Sequence, residues 1–167
     1  MLLRGVNVGR GNRIAMRDLV LLLEGLGCGG VVTHGGSGNA VVDADPAGLP
    51  ERVEQALLQF GLPVRVLVRT ADELAAVVAA NPFPELVERP KQLHVAFLDT
   101  QPAPEVADQV GRRHGDDELV VGDRAVYLAF AASSHDSPLQ PALARLGVVL
   151  TARNWSAVTK VLALAQR

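Results

Sequence analysis

The order of strands and helices along the chain is the feature that most restricts its fold. Apolar residues alternate or recur at helical spacing in short segments, and glycine or proline separates these segments throughout the 167 residues. The resulting order is strand, helix, strand, strand, helix, strand and one more helix, and this order occurs twice. A βαββαβ order is typical of the ferredoxin-like fold, or α-β plait. The sequence therefore predicts an α+β protein with two tandem ferredoxin-like subdomains, each followed by an extra helix.

The proline-containing segment 82–91 is predicted to link these subdomains, which span residues 1–81 and 92–167. Thr70 and Glu73 have the spacing of a capping box at the start of the extra helix in the first half. The first strand is short, because only three or four residues precede Gly5. The predicted strands are 2–3, 31–34, 39–43 and 64–68 in the first half and 93–98, 118–121, 125–130 and 148–152 in the second. The predicted helices begin near Ile14, Asp45 and Thr70 in the first half and lie within 102–113, 139–146 and 154–165 in the second.

Charge is distributed unevenly along the chain, although the net charge is only −2. Residues 1–17 contain four arginines and no acidic residue, and residues 137–167 contain four basic residues and no acid. All 18 acidic residues lie between Asp18 and Asp136. An arginine-rich segment of this kind attracts anions, unless its arginines are solvated at unrelated places on the surface.

Two glycine-rich segments are predicted to lie at the same edge of the first sheet. In a βαββαβ sheet the first two strands run in the same direction, so the loop after the first strand faces the hairpin after the second. We name residues 4–13 the basic loop and residues 35–39 the glycine hairpin. Glycines allow backbone N–H groups to approach a ligand, and arginines can bind an anion through two hydrogen bonds. The predicted ligand-binding residues here are Arg4, Gly5, Asn7, Gly9, Asn12, Arg13, Ser37, Gly38 and Asn39. The competing interpretation is that these glycines and asparagines only form tight turns.

A second candidate region joins the last predicted strand to the last helix. Arg153, Asn154 and Lys160 provide two cations and an amide there. Asn154 is also well placed as an N-cap, which we favour over ligand contact. Trp155, the only tryptophan, is expected to serve in packing.

Standard catalytic and cofactor motifs are missing from the sequence. The spacing of Gly5, Gly9 and Gly11 matches neither the dinucleotide fingerprint nor the Walker pattern. The four histidines are scattered, and Cys28 has no partner for a disulfide or a zinc site. We therefore predict no metal and no cofactor, and we assign no catalytic residue. The single cysteine and the lack of a long apolar segment favour a soluble, cytoplasmic protein. The sequence leaves its oligomeric state open and slightly favours a monomer.

Four stretches of the sequence are distinctive: LLRGVNVGRGNRIAM, SGN at 37–39, VLVRTADELAAVVAANPFPE and TARNWSAVTKVLALA. Together they resemble the bacterial family catalogued as domain of unknown function 1697. The resemblance covers nearly the whole chain and implies two α-β plait subdomains, but it implies no activity. It also implies that a few residues usually precede Met1. The chain has Pro138 where the family tends to have a basic residue, which weakens any anion contact expected near residues 135–139.

The sequence leaves four functions open, of which the fourth is an interaction module that binds no small ligand. The first is binding of an anionic small molecule or nucleotide between the basic loop and the glycine hairpin. The second is binding of single-stranded nucleic acid, which is less favoured because aromatic residues make up only 4% of the chain. The third is an enzyme that stabilises negative charge with arginine and asparagine, although no general base is evident.

Overall fold

The computed structural model describes residues 1–9, 11–134 and 137–167. These residues form a mixed α+β structure with two antiparallel sheets and six α-helices. The strands are β1 Leu2–Leu3, β2 Gly29–His34, β3 Asn39–Asp43, β4 Val66–Leu67, β5 Leu93–Leu98, β6 Arg113–His114, β7 Asp117–Gly122, β8 Ala125–Ala129 and β9 Leu150–Asn154. The helices are α1 Met16–Gly25, α2 Leu49–Gln59, α3 Ala71–Ala79, α4 Pro104–Val110, α5 Leu139–Ala144 and α6 Trp155–Ala165, and a short 3-10 helix spans Pro84–Leu86.

The chain divides into two compact units. The first unit contains Met1–Leu74 together with Thr159–Arg167, and the second contains Ala75–Val158.

The sheet of the first unit has the order β2-β3-β1-β4. Leu2 of β1 pairs with Asn39 on one side and Leu67 on the other, so the two-residue strand lies between β3 and β4. Helices α1 and α2 pack on this sheet because each places apolar residues four positions apart on one face. Leu19 and Leu23 of α1 and Val53 and Leu57 of α2 are fully buried. Burial of each such side chain stabilises the fold by roughly 1.5–3 kcal/mol.

The sheet of the second unit has the order β6-β7-β8-β5-β9. Alternate residues of its strands are directed into one core, which includes Ala96 and Leu98 of β5 and Val126 and Leu128 of β8. The tip of the β7–β8 hairpin follows the Gly122↔Ala125 pair, as the turn residues Gly122 and Asp123 predicted.

The hydrogen bonds predicted at the start of α3 are present in the structure. The Thr70 N–H donates to Glu73 Oε2 at 2.7 Å, and the Glu73 N–H donates to Thr70 Oγ1 at 3.1 Å, which confirms the capping box. The helix predicted within 102–113 is α4, and Arg113 at the end of that range belongs instead to β6, which pairs with the start of β7. Arg112 and Arg113 hold this extra strand through ion pairs to Glu118 at 2.7 and 3.2 Å. Non-local pairing thus overrides the helical pattern there.

Candidate functional site

Asn7 joins the basic loop, which lies between β1 and α1, to the glycine hairpin, which lies between β2 and β3. Its Nδ2 donates to the carbonyl of Gly36 at 2.7 Å and to that of Ile14 at 2.9 Å. Its Oδ1 accepts from the Ile14 N–H at 3.0 Å. The expected contact between the two segments is therefore present, and one amide side chain makes it.

The backbone of the basic loop alternates in the sign of φ. Gly5, Asn7 and Gly9 have φ values of 67°, 55° and 64°, and Val6 and Val8 between them are not in the positive region. Alternation of left-handed and ordinary conformations can turn successive N–H groups toward one concave side, as in the backbone nests that bind anions. Glycine suits Gly5 and Gly9 because a side chain at positive φ is strained.

Several backbone N–H groups of this loop have no acceptor in the part of the chain that the structure describes. The carbonyl of Asn12 accepts from the Asn7 N–H at 2.9 Å, and the carbonyl of Gly9 accepts from Arg13 Nη2 at 2.9 Å. Within the described residues, the backbone N–H groups of Gly5, Val6, Val8 and Gly9 donate to no acceptor. These groups can donate to an acceptor from outside the protein.

Two arginines add full charge to this surface. Arg4 is exposed and its guanidinium has no hydrogen-bond partner among the described residues, while its N–H donates to the carbonyl of Arg65 at 2.8 Å. Arg13 is exposed and its one hydrogen bond to described residues, to Gly9, uses a single nitrogen. Arg10, the third arginine expected here, lies outside the described residues.

The predicted site residues of the glycine hairpin have structural contacts. Asn39 is 1% exposed, and its Nδ2 donates to the carbonyl of His34 at 3.0 Å and to Ser37 Oγ at 3.1 Å. Gly38 has φ of 75° and packs so closely that an added Cβ would lie 2.5 Å from Val6 Cγ2 and 2.7 Å from Leu3 Cβ. These residues hold the hairpin against the start of the basic loop.

Residues of the second candidate region also make hydrogen bonds within the protein. Arg153 is 7% exposed and its Nη1 donates to Thr151 Oγ1 and to the carbonyl of Ala152, both at 2.8 Å. Burial lowers the pKa of Arg153 to about 10. Asn154 Oδ1 accepts from the Ala157 N–H at 2.9 Å, so Asn154 is the N-cap of α6, as favoured from the sequence. Lys160 is exposed on α6.

The second unit has a similar bridge, in which Gln101 joins the loop after β5 to the β7–β8 hairpin. Gln101 Nε2 donates to the carbonyl of Gly122 at 3.2 Å, and its Oε1 accepts from the Arg124 N–H at 2.6 Å. Asp99 is the first residue after β5, as Arg4 is after β1. Its Oδ1 accepts from the N–H groups of Thr100 at 2.8 Å and Val149 at 3.0 Å.

A buried carboxylate in the second unit has a role that the sequence did not indicate. Asp117 is 7% exposed, although it lies in the acidic run Asp116-Asp117-Glu118. Its Oδ1 accepts from the Ala131 N–H at 2.8 Å, and its Oδ2 accepts from Ser137 Oγ. Ser137 Oγ in turn accepts from the Leu139 N–H at 3.1 Å. No local pattern marks Asp117, because its partners lie 14 and 20 residues away.

His94 is half-buried in the sheet of the second unit. Its ring packs edge-on against Phe130 with the centroids 5.1 Å apart, and burial lowers its pKa from 6.5. Among the described residues, no group of three or more histidine, cysteine or acidic side chains has the arrangement of a metal site. Within the same residues, no helix is both long and apolar enough to cross a membrane.

Comparison with known proteins identifies the family. The model of the family described as protein of unknown function (DUF1697) matches residues 1–127. The chain belongs to the DUF1697 family. This match includes the basic loop, the glycine hairpin and the Gln101 bridge.

A solved structure shares the fold of this DUF1697 protein. The conserved bacterial protein SP0830 from Streptococcus pneumoniae superposes with a TM-score of 0.74 at 19% identity, covering 99% of this chain and 96% of the other. At that identity the likeness concerns the fold alone. No curated protein matches the sequence.

Proposed function

We propose that this DUF1697 protein binds an anionic small molecule or nucleotide at the basic loop, beside the glycine hairpin. The observation that carries the proposal is the group of backbone donors left unpaired within the described ranges, beside two exposed arginines in the loop. Four backbone N–H groups have no acceptor among the described residues, and the exposed Arg4 and Arg13 flank them in the sequence. A phosphate or carboxylate would supply the missing acceptors, and charge-assisted hydrogen bonds of this type are the stronger ones.

The proposal also divides roles among the predicted site residues. Arg4, Arg13 and the backbone of Gly5 and Gly9 contact the anion. Asn7, Gly38 and Asn39 fix the loop and hairpin, because their side chains or close packing are already used within the protein. Asn12 and Ser37 lie beside these groups and can orient the neutral part of a ligand. Arg153 and Asn154 have their own internal partners, so we propose no ligand contact for them or for Lys160.

We further propose that the scaffold is a tandem duplication of a ferredoxin-like subdomain in a cytoplasmic protein, with residues 1–81 and 92–167 as the two copies. The strand orders support this proposal. With the strands of each half numbered in their own order and the short β6 set aside, both sheets read 2-3-1-4, which suits a βαββαβ plait.

Titration with inorganic phosphate, followed by nucleotides, phosphosugars, acyl phosphates and a short oligonucleotide, tests the site. We expect phosphate-bearing ligands to raise the thermal midpoint, and we expect the Arg4→Gln and Arg13→Gln variants to bind several-fold more weakly. Arg17→Gln is the matched control, because Arg17 is an exposed arginine of the same segment that pairs with Asp18 at 3.2 Å. The proposal fails if no anion stabilises the protein, or if Arg17→Gln weakens binding as much as Arg4→Gln. Tight, salt-dependent binding of the oligonucleotide alone would favour nucleic acid as the ligand.

A further inference from the structure

The two sheets differ at one edge. In the second unit, β7 is flanked by the short strand β6, with Arg113 opposite Glu118 and His114 opposite Asp117. In the first unit, β2 has the same place in the sheet, but within the described residues it pairs only with β3. Its residues Gly29–His34 are exposed or half-buried. The edge of β2 is therefore open to solvent.

The register of the first sheet shows which peptide groups face outward from β2. The Ala40 N–H donates to the carbonyl of Met1 at 3.1 Å, so the peptide groups of Ala40 face β1. Successive residues of a strand alternate in the side to which they direct these groups. Thr33 pairs with Ala40 and Val32 pairs with Val41. The N–H and carbonyl of Thr33 consequently point away from β3, where another strand can pair with them.

The side chains of β2 do not protect this edge. Exposed edges usually carry a charge or a proline to prevent pairing, but no charged residue and no proline occurs from Gly25 to Val42. The register is irregular between Gly29 and Val32, so the regular part of this edge runs from Val32 to His34. Val32 is 44% exposed, which is a large apolar exposure for an edge residue.

We propose that β2 pairs antiparallel with the β2 of a second copy of this chain, about a twofold axis near Val32. A strand that pairs with itself brings each charge close to its own copy, so a strand free of Lys, Arg, Asp and Glu is suited to self-pairing. Pairing centred on Val32 covers the two exposed valines with each other and joins two four-stranded sheets into one of eight strands. The contact is small, so the dimer forms with increasing protein concentration.

Sedimentation equilibrium from low micromolar to near-millimolar concentration tests this dimer. We expect the Val32→Lys and Val32→Asp variants each to raise the dissociation constant at least about tenfold, because like charges then meet across the axis. An equimolar mixture of the two variants should regain the dimer as a heterodimer. Leu21→Lys is the control, because Leu21 is 66% exposed and belongs to α1, not to β2.

Three results would overturn the proposal. The wild-type chain could remain monomeric at every concentration, which would show that the edge of β2 does not pair with a second copy. Val32→Lys could leave a wild-type dimer intact, or Leu21→Lys could disrupt it equally. Failure of the Val32→Lys and Val32→Asp mixture to associate would exclude the twofold arrangement. Anion binding is measured separately and can fail or succeed independently of these results.

Discussion

The two loops that follow β1 and β5 have similar backbones and opposite charge. The Leu3 N–H donates to the carbonyl of Gly38 at 2.8 Å, and the Leu98 N–H donates to that of Arg124 at 3.0 Å. The next residue donates to the carbonyl of Arg65 in one unit and of Val149 in the other, at 2.8 and 2.9 Å. That residue is Arg4 in the first unit and Asp99 in the second.

The side chains of Arg4 and Asp99 differ in their hydrogen bonds. The Asp99 carboxylate accepts N–H groups from its own loop and from Val149, which ties the second loop to the neighbouring strand. The Arg4 guanidinium has no hydrogen-bond partner among the described residues and lies exposed. The comparison teaches that the fold supplies a loop beside a hairpin in both units, while the residue that follows the strand sets the charge exposed there.

The largest expected effect tests the packing of the glycine hairpin on the basic loop. Gly38→Ala should lower the free energy of unfolding by about 3 kcal/mol, since the new Cβ would overlap Val6 and Leu3 at a positive φ. Gly35→Ala is the matched control, because Gly35 also has a positive φ but nothing lies within 4 Å of the added Cβ. It should cost only about 1 kcal/mol in urea unfolding. Equal losses for the two variants would show that close packing at Gly38 is unimportant.

The next effect compares the two side-chain bridges. Asn7→Gly keeps the positive φ of 55° but removes three hydrogen bonds, and it should cost about 2 kcal/mol. Gln101→Ala removes two hydrogen bonds in an exposed setting and should cost about 1 kcal/mol. Urea unfolding gives both values, and hydrogen exchange of the Ile14 N–H should accelerate only in Asn7→Gly. A larger loss of unfolding free energy in Gln101→Ala would show that the Gln101 bridge contributes more to stability than the Asn7 bridge.

Replacing Arg4 with an acidic residue should weaken phosphate binding and change the free energy of unfolding only slightly. Arg4→Asp gives the first loop the charge of the second, and we expect phosphate to bind at least about tenfold more weakly. The free energy of unfolding should stay within about 0.5 kcal/mol, because the Arg4 side chain is exposed. Asp99→Asn should leave phosphate affinity unchanged, as measured by calorimetry. Equal binding by wild type and Arg4→Asp would place any anion site elsewhere.

The smallest effect concerns pH and belongs to the second unit. Burial lowers the folded-state pKa of His94 below 6.5, so the unfolded chain binds the proton more tightly. This histidine should therefore reduce stability as the pH falls below 6.5 and contribute no pH dependence above neutrality. His94→Gln should flatten the difference in unfolding free energy between pH 7.5 and pH 5.5. Urea unfolding at the two pH values gives this difference, and an equal difference in wild type and His94→Gln would contradict the prediction.

Sequence patterns located most elements of both units, since each pattern reports a local preference. Glycine-ended helices, the Thr70 capping box and the Gly122 hairpin all depend on neighbours within a few residues. The strand β6 was missed because Arg113 and His114 carry no strand pattern and are held by pairing to β7. The burial of Asp117 was missed for the same reason, since Ser137 and Ala131 are distant in sequence.

The predicted strand order indicated where the candidate site would lie, but it did not indicate the role of each residue in that site. The sequence indicated that the basic loop and the glycine hairpin would meet, and it named Asn7, Gly38 and Asn39 as ligand-binding residues. The structure shows these three residues in internal contacts. Whether an amide faces a ligand or a carbonyl depends on the exact path of two loops, and residue type alone does not specify that path.

By itself, the sequence determined the family, the succession of strands and helices, and the concentration of arginine in the first 17 residues. These follow from composition, periodicity and turn residues, which act over short distances. Only the tertiary structure decided which donors remain unpaired in the basic loop, that Asp99 is tied to Val149 while Arg4 is exposed, and that β6 covers one sheet edge while that of β2 stays open. Each of these depends on hydrogen bonds between residues far apart in the chain, whose partners are chosen only when the whole fold forms.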